Sequence, residues 1–262
     1  MGRTSGTAGQ RDSGRTKLCV WSHQSLHFLP LHLIPFGEGL LADAFTITSV
    51  PSLECLFQGP APAGGSGVLA VACGSGGVAH GLADEPSLER QAERIAEMFG
   101  SRPLTGAEAT PTRVVALLGT SRFVHLAAHG TQNVQAPSFA CLFLSGSASD
   151  RTGQLHAYEI LACDLRGVDL VSLCACESAL VRYDDMDNIH GLAAAFLRAG
   201  ARAVVGALWP ITAEVSDTFF LTLYTALVSG ATTSTAFRTA QVETRRKHPQ
   251  YRDWGAFTFR GV

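Results

Sequence analysis

The chain reads as an α/β domain with a mostly parallel sheet covered by helices on both faces. Three observations predict this. Short apolar runs alternate with amphipathic stretches from Val68 onward. The runs are continuous rather than alternating. Glycines punctuate the joints. Continuous apolar strands are those buried on both faces, and strand–helix alternation implies parallel crossovers.

Residues 1–16, polar and rich in Gly, Ser and Arg, predict a flexible tail. Residues 17–67 form a small N-terminal part that ends in a Gly/Pro-rich linker, Gln58–Gly67, and 68–262 form the main body. Val68–Cys73 (VLAVAC) predicts a doubly covered strand, followed by Gly74-Ser-Gly-Gly77. Leu88, Ala92, Ile95 and Phe99 fall at helical spacing, with Gly100 placed to close the helix. Phe123–Ala127, Cys141–Leu144 and Leu170–Cys174 predict the next strands. Leu192, Ala195, Phe196 and Ala199 predict a helix closed by Gly200. Ala203–Leu208 predicts another strand and Val215–Leu227 a longer helix.

Bulk composition narrows the function classes. Of 262 residues 46% are hydrophobic and 16% charged, which excludes disorder throughout. A net charge of −2 gives no electrostatic reason to expect nucleic acid or an anionic membrane. No apolar run reaches the length of a membrane span, and the N-terminus lacks a signal-peptide pattern. The cysteines at 19, 55, 73, 141, 163, 174 and 176 are odd in number and irregularly spaced, which suits free thiols in the reducing cytoplasm. There is no Walker loop, and Gly74–Gly77 lacks dinucleotide-binding spacing, so no cofactor is expected. Cys174, Cys176 and His190 can be assembled as metal ligands on paper, but Cys-x-Cys is not a usual zinc signature.

In sheets of this kind active residues gather where strands end. Phe123–Ala127 runs out into Ala128-His129-Gly130, and Leu170–Cys174 into Ala175-Cys176-Glu177-Ser178. If these strands are neighbours, His129 is placed to deprotonate Cys176 and later to protonate a leaving amine. Gly130, without a Cβ, lets backbone approach a substrate, and its N–H with that of Cys176 would hold an oxyanion. The residues alone leave a second reading open, a buried structural thiol and a loop-capping histidine. Cys174 and His125, inside the runs, read as core.

The segments together resemble the CHAT domain, a caspase- and separase-related cysteine peptidase family. The resemblance is carried by Ser25–Pro30, Thr46–Ser52, Leu104–Thr110, Val124-His-Leu-Ala-Ala-His-Gly130, Gly153–Ile160, Leu170-Val-Ser-Leu-Cys-Ala-Cys-Glu-Ser178, Gly191–Ala201, Ala207-Leu-Trp-Pro210 and His248…Phe257. It implies a caspase-like three-layer sandwich with His129 and Cys176 as dyad and Gly130 in the oxyanion hole. It also implies protein or peptide substrates, often with a basic residue before the scissile bond. Asp185 and Asp187 are the candidate partners for such a residue, and Glu177 and Trp209 further candidates for substrate contact. Three departures stand out: Ala179 where the family usually has glycine, Ile211-Thr-Ala213 where it commonly has an acidic residue, and no helical repeats. The last leaves three readings open: the chain works alone, it is a fragment, or its sensor is a separate polypeptide such as a helical-repeat partner. The reading is a cysteine endopeptidase. A non-catalytic interaction module of the same fold and an acyl transferase using the same pair are the alternatives.

Overall fold

The computed structural model describes residues 17–57, 65–133, 135–147, 150–175, 182–183 and 189–262. In chain order the strands are β1 (Lys17–Val20), β2 (Pro35–Phe36), β3 (Gly39–Leu40), β4 (Thr46–Ser49), β5 (Val68–Cys73), β6 (Leu104–Thr105), β7 (Phe123–Thr131), β8 (Cys141–Phe143), β9 (Gln154–His156), β10 (Leu170–Cys174), β11 (Arg182–Tyr183), β12 (Ile189–His190), β13 (Ala203–Ala207) and β14 (Phe257–Gly261). The α-helices are α1 (Leu41–Ala44), α2 (Ser87–Met98), α3 (Pro111–Leu117), α4 (Ala157–Leu161), α5 (Leu192–Arg198), α6 (Ala213–Val228), α7 (Thr233–Lys247) and α8 (Tyr251–Trp254).

The main sheet has the order β1-β4-β14-β13-β10-β7-β5-β6, with β8 added beside β7 and β9 beside β8. The strands from β13 through β10, β7 and β5 to β6 run parallel. β14 pairs antiparallel with β13. On the far side of β14, β1 and β4 extend the sheet, so residues 17–57 contribute two strands to it.

The period-2 alternation of strands divides the core in two. Val124, Leu126 and Ala128 of β7 pack with Val114 of α3, Ile160 of α4 and Phe196 of α5. Phe123 and Ala127 point the other way, against Ile95 of α2, Phe219 and Leu223 of α6 and Phe237 of α7. These are the three layers of the expected sandwich. Helix stripes follow the same logic: α2 buries Gln91, Ala92, Ile95 and Ala96, which lie on one face at helical spacing. Gly100 and Gly200 close their helices with φ of +61° and +111°, a region closed to most side chains. Phe219 stacks on Phe257 with ring centroids 3.6 Å apart and is fully buried. Burial of one such ring stabilises by roughly 2–3 kcal/mol.

The histidine strand departs from expectation. β7 does not stop at Ala127 but continues to Thr131, so His129 and Gly130 lie within a strand. The reason is the partner: beyond its parallel pairing with β10, which ends at Cys174↔Ala127, β7 is taken up by β8 in antiparallel register, with His129↔Phe143 and Gly130↔Leu142. β8, which falls within the Cys141–Leu144 run expected only as another strand, is thus the clamp on the histidine segment.

The second core contains a polar network. His125 of β7 is fully buried, with Nδ1 2.8 Å from Ser172 Oγ and Nε2 3.1 Å from Gln91 Oε1. Gln91 Nε2 donates to Ser216 Oγ at 3.2 Å and to Asp217 Oδ1 at 2.6 Å. Tyr224 Oη is 2.7 Å from Ser172 Oγ and donates to the Val124 carbonyl. Desolvation lowers the His125 pKa to about 3, so the ring is neutral and structural. His32 is buried too. Its Nε2 donates to the Gly255 carbonyl at 2.9 Å, and its pKa is lowered to about 4, chiefly by burial.

Candidate active site

β5, β7, β10 and β13 end on one rim of the sheet, and the chain between β5 and α2 crosses it. Ala127 and Cys174 face α2 and α6, and alternation puts His129 on that same face. The His129 ring is half-buried, and its Nε2 donates to the Ala83 carbonyl at 2.8 Å. A carbonyl only accepts, so Nε2 carries a proton, and in the neutral ring Nδ1 is the accepting nitrogen. The hydrogen bond therefore selects the tautomer and fixes the ring.

The glycine run after β5 makes room for this arrangement. A Cβ on Gly77 would lie 2.8 Å from Leu82 Cδ1 and 3.1 Å from His129 Cδ2. One on Gly76 would run into the Phe143 carbonyl, and one on Gly74 into the Glu85 carbonyl. Read from sequence, this run was only a phosphate loop of the wrong spacing. Its role is close packing around the imidazole, which sequence reasoning missed along with Ala83. The signal was present, since three glycines in four residues at a strand end imply close approach of backbone.

Gly130 packs on the opposite side of β7, where an added Cβ would sit 3.3 Å from Leu142 Cδ2 and 3.4 Å from Ala175 Cβ. Beside His129 a pocket of about 130 Å³ opens between the strand ends and the start of α6. Its lining includes Leu88, His129, Cys174, Ala175, Trp209 and Ile211. Trp209 is held there because its Nε1 donates to the Arg252 carbonyl at 2.7 Å. At the floor Cys174 Sγ lies 3.1 Å from Ser216 Oγ. Thr212 caps α6, its side chain accepting from the Val215 N–H, so the positive end of that helix dipole faces the pocket.

The site residues expected from sequence thus divide. His129, Gly130 and Trp209 stand along one rim. Cys176, Glu177, Asp185 and Asp187 lie outside the described residues. Cys141, beside Thr131, is buried and its thiol is pushed up to about 11, which makes it a poor nucleophile. Among the described residues no three His, Cys, Asp or Glu side chains gather as metal ligands, and no helix is long and apolar enough to cross a membrane.

A mostly parallel sheet between helical layers, with an imidazole at the rim, defines the class: a caspase-like α/β fold. Two solved structures share it. Separase, in the Saccharomyces cerevisiae separase–securin complex, aligns with a TM-score of 0.60 at 19% identity, over 91% of this chain and 15% of that one. The Arg-specific cysteine proteinase gingipain R aligns with a TM-score of 0.52 at 13% identity, over 76% of this chain and 46% of that one. At these identities the likeness is one of fold.

The chain belongs to the CHAT domain family, whose model matches residues 7–262. It is also similar to tetratricopeptide repeat protein 28 of Mus musculus, at 28% identity over 90% of this chain, and of Homo sapiens, at 24% over 88%. The chain spans 12% and 11% of the length of those relatives.

Proposed function

We propose that this chain is a cysteine endopeptidase in which His129 is the general base for the thiol of Cys176. The observation that carries the reading is the orientation of His129, whose Nε2–H is given to Ala83 while the ring borders the rim pocket. That tautomer leaves Nδ1 to accept the thiol proton. Cys176 follows Cys174 by two residues, as His129 follows Ala127, and Cys174 and Ala127 are paired neighbours. Two residues is one repeat of strand alternation, so this placement supports a meeting of the two side chains on one face.

In the proposed reaction the Cys176 thiol gives its proton to His129, and the resulting thiolate attacks the peptide carbonyl carbon. The oxyanion is held by the N–H groups of Gly130 and Cys176. The imidazolium then protonates the leaving amine as the C–N bond breaks, and water hydrolyses the thioester. Glu177, Asp185 and Asp187 contact the substrate from the segment after the cysteine, and Trp209 from the pocket. The similarity to a protein named for tetratricopeptide repeats supports a helical-repeat neighbour or partner that controls the enzyme. Cys19, Cys55, Cys73, Cys141 and Cys163 are free thiols, which supports action in the reducing cytoplasm.

A peptide library derived from whole-cell protein, read by mass spectrometry, tests the assignment. Wild type is expected to cleave it, and Cys176→Ala and His129→Ala to lose cleavage while keeping their circular dichroism spectra. Brief alkylation near neutral pH should label Cys176 ahead of the other six cysteines. Equal cleavage by wild type and Cys176→Ala refutes the nucleophile.

A further inference from the structure

The pocket beside His129 sets what a peptidase of this design accepts, so the following rests on the proposed function. Its described walls are apolar: Leu88 from α2, Ala207 at the end of β13, Trp209 and Ile211 beyond it, and Phe220 from α6. The floor is polar only in name. Ser216 Oγ takes a hydrogen bond from Gln91 Nε2 at 3.2 Å and lies 3.1 Å from Cys174 Sγ, so these atoms engage one another rather than the pocket. Among the described lining residues there is no lysine or arginine, and the one carboxylate is Glu85, whose Oε1 accepts from the Ser87 hydroxyl at 2.6 Å.

Size agrees with chemistry. The volume is about 130 Å³. An apolar cavity of about 150 Å³ in another protein takes up benzene. A leucine, methionine or phenylalanine side chain is of that order. Among the described walls a guanidinium or ammonium would lose its hydration with only Glu85, already bonded to Ser87, to pair with, which is costly.

We propose that this pocket receives an apolar side chain of leucine, methionine or phenylalanine size from the peptide substrate, next to the scissile bond, and disfavours lysine and arginine there. The site departs in this from the basic preference that the family resemblance implies.

The test is a positional-scanning peptide library cleaved by the full chain, compared with Ala213→Asp. Ala213 is exposed at the first turn of α6 and lines the pocket, so a carboxylate there suits the helix end and should not disturb folding. Wild type is expected to cut after Leu, Met or Phe at least about tenfold faster than after Lys or Arg, and Ala213→Asp to narrow or invert that ratio. Faster cutting after Lys or Arg by wild type overturns the pocket assignment and leaves the peptidase standing. Absence of Cys176-dependent cutting removes the peptidase reading instead. The pocket is then judged by saturation-transfer NMR on Cys176→Ala protein with N-acetyl-leucinamide and N-acetyl-argininamide. A stronger leucinamide signal that Ala213→Asp weakens upholds the pocket, and an equal or stronger argininamide signal overturns it.

Discussion

Acidification should destabilise this fold well before its carboxylates titrate. His125 and His32 are buried and neutral, with pKa values lowered from an ordinary 6.5 to about 3 and about 4. Once the chain unfolds, both rings regain their ordinary basicity and take up protons that the folded state refuses. Between pH 6.5 and the folded values the unfolded state thus binds more protons, and stability rises with pH. The contribution is complete above about pH 6.5 and is lost progressively as pH falls towards 4 and then 3. At pH 5 each histidine is about 1.5 pH units into its window, a loss of about 2 kcal/mol, or about 4 kcal/mol for the pair. That is a large share of the 5–15 kcal/mol typical of a domain. Urea unfolding followed by tryptophan fluorescence at about pH 7.5, 6 and 5 measures it. The midpoint should drop steeply from pH 6.5 to 5 at constant m-value, and His125→Gln should flatten that drop by about half. A midpoint that is level or rising across this interval refutes the claim that these rings are held neutral.

Gly77→Ala should keep the fold, because Gly77 has φ −83° and ψ −8°, ordinary for alanine. The new methyl presses on Leu82 and His129, and peptide cleavage should fall about tenfold, equivalent to about 1.4 kcal/mol in the barrier. Unchanged kcat would show that the loop does not hold the ring. Phe219→Ala removes a fully buried ring stacked on Phe257, and calorimetry should show a loss of about 3–5 kcal/mol. Gln91→Leu leaves the His125 Nε2 and Ser216 without their partner. It should cost about 1–3 kcal/mol, read as a lower urea midpoint.

Legibility in the sequence tracked burial. Val68–Cys73 and Leu170–Cys174 are readable to the residue because both faces are covered, so every position is buried and all but Ser172 are apolar. The α6 stripe was equally plain, with Phe219, Leu223 and Leu227 buried. What eluded reading was set by tertiary pairing. Hydrophobicity falls after Ala127, where the sequence alone predicts the end of β7. The strand persists to Thr131 because β8 folds back on it, and no local pattern in Cys141–Phe143 announces that choice of partner. The carbonyl of Ala83 was invisible for a different reason: backbone oxygens carry no residue identity. His125 was correctly assigned to the core, since an imidazole within an uninterrupted apolar run has no route to solvent.

The antiparallel clamp on β7 divides responsibility at the rim. Among the described residues, the groups that meet the imidazole (the Ala83 carbonyl, the glycine run, the hairpin strand opposite) come from chain segments before residue 145. The groups that hold the imidazole are therefore laid down in sequence well before the nucleophile proposed at position 176. In the proposed enzyme, base and nucleophile thus answer to separate stretches of sequence, and one can change while the other keeps its socket.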